Sequence, residues 1–437
     1  MPWWPFGKLV MYILYNVILI CLLILLSPVW ICVLLSGKKY RAGFKQKCGF
    51  LPAEIREKIK SFCKQPVWFH AVSVGETLAV IDLVKEFHCR TPDVPVIFST
   101  VTYTGQEIAK KRLVNIATVI YFPYDLAFIT KKVINLIKPQ LAIIVETEIW
   151  PSFTFELARK NIPLLLINGR LSPKSSKNYR LFRFFFSKVL ENFTQLMMQA
   201  EIDANRMLEM GADKTKVTIA GNLKYDIKAK FNADDIRNLK QNLALTKDDK
   251  VIIAGSTHSG EEEILVNSYI KLKEFLPSLK LILVPRHPER HEEVIELLKS
   301  KELEFGRRSH KDTFEKAPVF MLDTMGELSG FYSIADIAFV GGSMIQKGGH
   351  NPLEPAAYSV PVVVGPHTFN FLDITNYMIE SGAAIQVKDE ESFYAVLKDL
   401  LTDQNVYNNA RNACLKVFDA NRGATEKSLN IIYSLLN

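Results

Sequence analysis

From residue 66 onward, short and almost uninterrupted apolar runs alternate with amphipathic helical stretches, and this pattern leaves few architectures open. The runs are PVWFHAVS, VPVIFST, ATVIYFP, LAIIVET, IPLLLIN, TQLMMQA and KVTIAG, then KVIIAGS, LKLILVP, APVFMLD, IADIAFVGG, VPVVVGP and AAIQV. A strand without polar alternation must be covered on both faces, which is the habit of parallel sheets wrapped by crossover helices. In TLAVIDLVKEF, one of the intervening stretches, Val80, Ile81, Val84 and Phe87 share one helical face. The alternation pauses over the polar segment 227–249, and helical pattern fills the chain from about residue 390 onward. The expectation is α/β: two Rossmann-like domains, 48–226 and 250–437, joined by a polar linker. Facing one another, they would leave a cleft at the carboxyl ends of both sheets, where doubly wound folds bind ligands.

Residues 9–35, LVMYILYNVILICLLILLSPVWICVLL, contain no charge. About 20 apolar residues span a bilayer as a helix, so this run predicts an uncleaved membrane anchor with length to spare for tilt. No A-x-A-like cleavage site follows it. Pro28 leaves room for a kinked or half-inserted anchor, and Trp3, Trp4 and Trp30 suit the interfaces. The basic cluster KKYRAGFKQK follows at 38–47, and the positive-inside rule places it, with everything after it, in the cytoplasm. Residues 1–47 thus form an anchor with a basic juxtamembrane segment. Of the net charge of +8, the first 50 residues carry +6, leaving +2 for the other 387. A nucleic-acid binder would spread its basic charge over a folded domain, so that class is set aside.

The six cysteines form no C-x-x-C pair and the eight histidines no H-E-x-x-H. This suggests neither a zinc site nor a disulfide framework.

Candidate chemistry sits where strands end. HAVSVGE ends in Glu76, VETEIWP carries Glu146 and Glu148, and GNLKYD carries Lys224 and Asp226. One charge after a strand is usually a surface cap or a helix-dipole partner; three at equivalent strand ends point to a shared site. In the second half, Arg286 and His287 follow a strand, Met325-Gly326-Glu327 open a helix, and Asn351-Pro352 make another helix start. Together with Gly341, Gly342, Gly348 and Gly349, which allow close backbone approach, these suggest a nucleotide phosphate held at helix N-termini. The P-loop sequence is absent. SPKSSKNYRLFRFFFSKVL, 172–190, mixes basic residues with Leu181, Phe182, Phe185 and Phe186. It reads equally as a lipid-facing amphipathic helix or as a helix packing its phenylalanines inward.

In order, HAVSVGE, VETEIWP, NGRLS, GNLKYD, LVPRHPER, DTMGEL, FVGGS, GGHNPLEPA and GPHTFNF resemble the 3-deoxy-D-manno-octulosonic acid (Kdo) transferases of lipopolysaccharide synthesis. The likeness runs from the anchor to about residue 420. It implies a GT-B-type enzyme at the cytoplasmic face of a bacterial inner membrane, transferring Kdo from CMP-Kdo to a lipid A precursor with inversion. No metal or other cofactor is expected. By the same resemblance, 48–226 is the acceptor domain and 250–437 the donor domain. Glu76 falls at the general base, and Glu146 and Lys224 at positions that stabilise the transition state. The CMP contacts fall on Pro285 and Arg286, on Met325, Gly326 and Glu327, and on Asn351, Pro352, Leu353 and Glu354. A transferase using a diphosphonucleotide sugar, or an inactive membrane scaffold of the same fold, would share the architecture.

Overall fold

The computed structural model describes residues 6–29, 32, 36–37, 41–226, 231–419 and 421–436. Trp3, Trp4, Trp30, Lys38 and Lys39 lie outside the described residues. The chain divides into two compact units, Met1–Asp226 with Asn421–Asn437, and Ile227–Ala420.

The first unit is built on seven parallel strands: β1 (Val67–His70), β2 (Val96–Thr100), β3 (Ala117–Tyr121), β4 (Leu141–Val145), β5 (Leu164–Gly169), β6 (Gln195–Met198) and β7 (Val217–Ile219). They lie in the order β3-β2-β1-β4-β5-β6-β7. The second unit repeats the scheme with β8 (Lys250–Thr257), β9 (Leu279–Pro285), β10 (Phe305–Arg307), β11 (Val319–Met321), β12 (Ile337–Val340), β13 (Val362–Val364) and β14 (Ala384–Gln386). Their order is β10-β11-β9-β8-β12-β13-β14. Both are doubly wound, so each unit is Rossmann-like and the fold class is α/β with two such units. Of the fourteen strands among the described residues, thirteen were legible as apolar runs; the other, β10, reads only Phe-Gly-Arg and sits at the sheet edge.

Alternation within the runs divides each strand between two cores. Trp68 enters a cluster with Phe122, Phe153 and Leu166, while Val67 and Phe69 enter another with Val80, Val84 and Phe87. Val80, Ile81, Val84 and Phe87 are all buried, as the helical face required. In the second unit, Ile252 and Ala254 face one cluster and Val251 and Ile253 the other.

Two boundaries differ from the sequence reading. The polar segment is not a free linker. Helix Ala233–Asn242 occupies it, opened by a capping box between Asn232 and Asp235, and its Leu239 is buried with Leu243 in the second core. The end of the chain leaves the second unit. Helix Ala424–Leu436 lays Ala424, Leu429 and Ile432 into the core of the first sheet. Asp226 accepts from the backbone N–H groups of Gly423 and Thr425 at its start, at 3.0 and 2.7 Å.

Helix Phe6–Leu25 has a stretch, Gly7–Leu25, long and apolar enough to cross a membrane, with mean hydropathy 2.4. Its polar side chains fasten it to the first unit. Tyr12 donates to Glu156 at 3.1 Å and stacks on Phe155. Asn16 donates to Ser152 Oγ at 3.1 Å and accepts from the N–H of Ala127 at 2.7 Å. Tyr15 donates to Asp125 at 3.0 Å.

Asp125 also organises helix Pro151–Arg159, which begins just after the Glu146–Glu148 loop. That helix opens on Trp150 with no side-chain cap of its own. Its free N–H groups at Ser152 and Phe153 instead donate to the buried Asp125 carboxylate at 3.0 and 2.8 Å. A remote aspartate thus does the work of an N-cap. Asp125→Ala strands both donors in the interior and is expected to cost about 3 kcal/mol, measured by denaturant unfolding. A loss under about 0.5 kcal/mol would show that water caps the helix as well.

Candidate active site

In a doubly wound sheet, the two strands at which the order reverses send their following loops to opposite sides, opening a crevice between them. In the first unit this point lies between β1 and β4, whose residues His70 and Ile144 are paired. Glu76 stands on the first turn of the helix that follows β1, and Glu146 immediately follows β4.

Glu76 is buried and both its oxygens are engaged. Oε2 accepts from the N–H of Val72 at 2.6 Å and Oε1 from the hydroxyl of Ser73 at 2.9 Å. Ser73 caps the same turn by accepting from the N–H of Glu76. Glu76 thus holds its own turn in place. Each carboxylate oxygen has two lone pairs, so these bonds leave acceptor capacity free. Burial pushes the Glu76 carboxyl up, the Glu146 charge adds to this, and Val72, Ser73 and Lys224 oppose it.

Glu146 adopts a left-handed backbone, φ 58°, and its Oε1 lies 3.1 Å from Lys224 Nζ. Lys224 comes from a short turn, Leu223–Tyr225, beyond β7. Three strand ends distant in sequence thus bring Glu76, Glu146 and Lys224 into one electrostatic group. Asp226 does not join it, being spent on the C-terminal helix. Glu148, which the sequence placed at the same strand end without a specific role, does join it. Its carboxyl is raised to about 7, chiefly by burial and then by the charges of Glu76 and Glu146.

The placement of Lys224 depends on residues that no motif had singled out by role. Asn168, also left-handed at φ 54°, is the penultimate residue of β5 and accepts from the N–H of Leu223 at 3.0 Å. Gln199 donates to the Asn168 carbonyl at 3.0 Å and accepts from Asn222 Nδ2 at the same distance. Asn222 in turn accepts from the N–H of Lys224 at 3.0 Å. NGRLS and GNLKYD carried the only sign of this chain, an asparagine at each strand end. His70 is a core residue: it stacks on Phe122 with centroids 3.7 Å apart, its Nδ1 bonds to Ser99, and burial pushes it down to about 3.

The second unit places the other expected residues on the carboxyl side of neighbouring strands. Pro285 is buried as the last residue of β9, and exposed Arg286 follows, its N–H donating to the Thr257 carbonyl at 2.9 Å. Beyond β11, Met325 is exposed and Gly326 has φ 88°. The Glu327 carboxylate is committed to Arg308 at 2.8 Å and to the hydroxyl of Thr324. Beyond β12, Asn351 accepts from the N–H of Leu353 at 3.2 Å, Pro352 and Leu353 are buried, and Glu354 is half-buried near Tyr332.

Two expectations for this unit need correction. The helices opened by Glu327 and Pro352 are single turns, Leu328–Phe331 and Leu353–Ala356, so neither sums much of a macrodipole. Nor is the first glycine pair a phosphate cradle. Glu261, fully buried, accepts from the N–H groups of Gly342, Ser343 and Met344 at 2.7, 3.0 and 2.9 Å, and from that of His258 at 2.9 Å. Gly341 serves the chain's own packing, since a Cβ there would lie 2.3 Å from the Ser256 carbonyl oxygen. Gly348 likewise makes room for Phe369 and Asn370.

The raised Glu148 carboxyl has a thermodynamic consequence. Its folded value, about 7, exceeds the ordinary 4.5, so the folded protein holds the extra proton and stability declines as pH rises between those values. Glu148→Gln is therefore expected to be more stable than the parent above pH ~7 by about 1–2 kcal/mol, after allowance for solvent screening. The difference should close below pH ~4.5, followed by chemical unfolding across the range; a difference independent of pH would show that Glu148 is not held neutral.

The family model described as 3-Deoxy-D-manno-octulosonic-acid transferase (kdotransferase) matches residues 42–227, the span holding Glu76, Glu146 and Lys224. The 3-deoxy-D-manno-octulosonic acid transferase of Haemophilus influenzae is 36% identical over 94% of this chain and 96% of its own length. That of Rickettsia bellii is 34% identical over 84% and 87%. Among solved structures, the C-terminal CMP-Kdo binding domain of WaaA from Acinetobacter baumannii is 32% identical, covering 42% of this chain and 96% of that one with a TM-score of 0.40. A likeness that runs almost end to end through both proteins, and takes in the carboxylate group and its lysine, makes this chain a member of the Kdo transferase family of glycosyltransferases.

Proposed function

We propose that the chain transfers Kdo from CMP-Kdo to a sugar hydroxyl of a lipid A precursor such as lipid IVA, inverting the anomeric centre and using no metal ion. The observation that carries this reading is the group formed by Glu76, Glu146 and Lys224 at the switch point of the first sheet.

A hydroxyl is a weak nucleophile until a base accepts its proton during attack. Glu76 suits that role because burial and the neighbouring Glu146 charge raise its proton affinity. The acceptor oxygen bonds to the anomeric carbon while the bond from that carbon to the CMP phosphate breaks. The electron pair leaves with the phosphate, and the proton passes to Glu76. The sugar is cationic in passing, and the Glu146 carboxylate offers it a fixed negative charge. Lys224, 3.1 Å from Glu146, steadies that carboxylate and can meet the carboxylate that Kdo carries. Pro285 and Arg286, Met325 to Glu327 and Asn351 to Glu354 would hold CMP. With the N–H groups of Gly342 to Met344 already taken by Glu261, Arg286 bears more of the single phosphate charge.

The apolar helix would hold the enzyme at the bacterial inner membrane as a single-pass anchor, with the catalytic units on the cytoplasmic face. Tyr12, Tyr15 and Asn16 tie its first half to the first unit, and the strongly exposed Ile24 and Leu25 extend its greasy surface. Leu181, Phe182 and Phe184 are also exposed, whereas Phe186 packs on the core, so the 172–190 stretch divides between its two readings.

The test is CMP release and acceptor mass gain from CMP-Kdo and a tetraacylated disaccharide lipid. Glu76→Gln should lower turnover by about 10²–10⁴-fold while CMP-Kdo still binds. Near-normal turnover in that variant removes Glu76 as base. Transfer from a uridine diphosphate sugar in preference to CMP-Kdo overturns the donor assignment.

A further inference from the structure

The second sheet has its own switch point, between β8 and β12, and its contents are histidines. His258 directly follows β8 and His350 lies in the loop after β12. Their Nε2 atoms are 3.0 Å apart, with the rings parallel to within 1°. Gly342 lies beneath both: a Cβ on it would stand 3.4 Å from Cδ2 of each ring. The His287 ring, exposed after β9, meets His258 edge-on at 5.5 Å. Thr257, the last residue of β8, has a fully buried hydroxyl with no partner among the described residues.

We propose that His258 and His350, with Arg286 and His287, form a proton-accepting anion site fitted to a phosphate monoester. The proposal deepens the donor assignment above and rests on that reading only for the identity of the nucleotide.

The chemistry follows from the contact. Two imidazoles that meet through Nε2 share one proton: one ring donates, and the other accepts and must carry its own proton on Nδ1. The donor ring then keeps a free Nδ1 lone pair. A proton added there makes the pair a monocation without breaking the contact, and both Nδ1–H groups become donors. In the free protein that proton is disfavoured. Burial lowers His350 to about 4, and Arg286, His258 and His287 push in the same direction. His258 is also lowered, by burial and then by His287, Arg290 and Lys347, with Glu262 opposing. Glu262 is itself paired with Arg290 at 2.7 Å, and Glu261 faces the loop only as an acceptor for backbone N–H groups. Glu289 stands 3.9 Å from Nδ1 of the exposed His287, but the charges acting on His258 and His350 are mainly cationic, and Glu262, spent on Arg290, leaves that pair short of counter-charge. An entering anion supplies that charge, raises the proton affinity of the pair, and is bound more tightly for it. Proton uptake and anion binding are then one linked event.

The test is calorimetry on the full chain with CMP, cytidine and inorganic sulfate, the last chosen because its own charge is constant over the range. Titrations from about pH 8 to about pH 5.5, in buffers of different ionisation enthalpy, count the protons taken up. Sulfate and CMP should each bind roughly tenfold tighter at the acid end, with uptake approaching one proton, while cytidine stays flat. In His350→Gln and His258→Gln the sulfate linkage should vanish. Sulfate that binds the parent without proton uptake, or not at all, overturns the proposal, as does linkage that survives in both variants. Linked sulfate binding without any CMP binding would instead sink the nucleotide assignment and leave the anion site standing.

Discussion

The rest of the molecule depends on one constraint of parallel sheets. A strand order that reverses leaves two neighbouring strands whose outgoing loops diverge, so no chain crosses above their carboxyl ends. In the first unit that vacancy lies over β1 and β4, in the second over β8 and β12. The same topology has been furnished in opposite ways. Carboxylates with one lysine fill the first, and imidazoles beside arginine fill the second. A half-desolvated carboxylate holds a proton more readily than one in water, and a cationic rim attracts phosphate.

Gathering three acids in one place costs free energy, and the fold offsets it locally. Lys224 neutralises Glu146, while Val72 and Ser73 donate to Glu76. Two non-glycine residues at neighbouring strand ends, Glu146 and Asn168, accept left-handed backbones, each at a cost of order 1–3 kcal/mol. Their strands are paired through Val145 and Ile167, so the two kinks turn the adjacent chain ends together. The first directs a carboxylate and the second anchors the turn that carries the lysine. Asp125, by capping the helix after Trp150, keeps the far end of the Glu146–Glu148 loop from fraying.

Legibility in the sequence followed the range of the forces involved. Continuous apolar runs announced thirteen of the fourteen strands among the described residues because burial on both faces demands them, and the three-residue edge strand β10 escaped. Glu76, Glu146 and Lys224 were visible because each follows a strand inside a distinctive motif. The role of Glu148 was not visible, since its raised proton affinity comes chiefly from burial and then from the charges of Glu76, remote in sequence, and Glu146. The glycine pair at 341–342 misled for the same reason. Nothing near it in sequence reveals that a glutamate some eighty residues earlier already occupies the N–H groups of Gly342 and Ser343, while that of Gly341 donates to the Gly255 carbonyl. Helix Ala424–Leu436 followed the second half in sequence yet packs on the first sheet, because its apolar face completes that core.

By itself the sequence determined what local chemistry dictates: an apolar N-terminal helix, two α/β units, charged residues at strand ends, and motifs that carry a family likeness. Only the tertiary structure decided which of those charges share a field, which backbone donors are already spent, and which unit owns the last helix. Propensity and hydrophobic period act over a few residues, whereas desolvation, charge coupling and hydrogen-bond competition act through space between segments whose proximity no local pattern encodes.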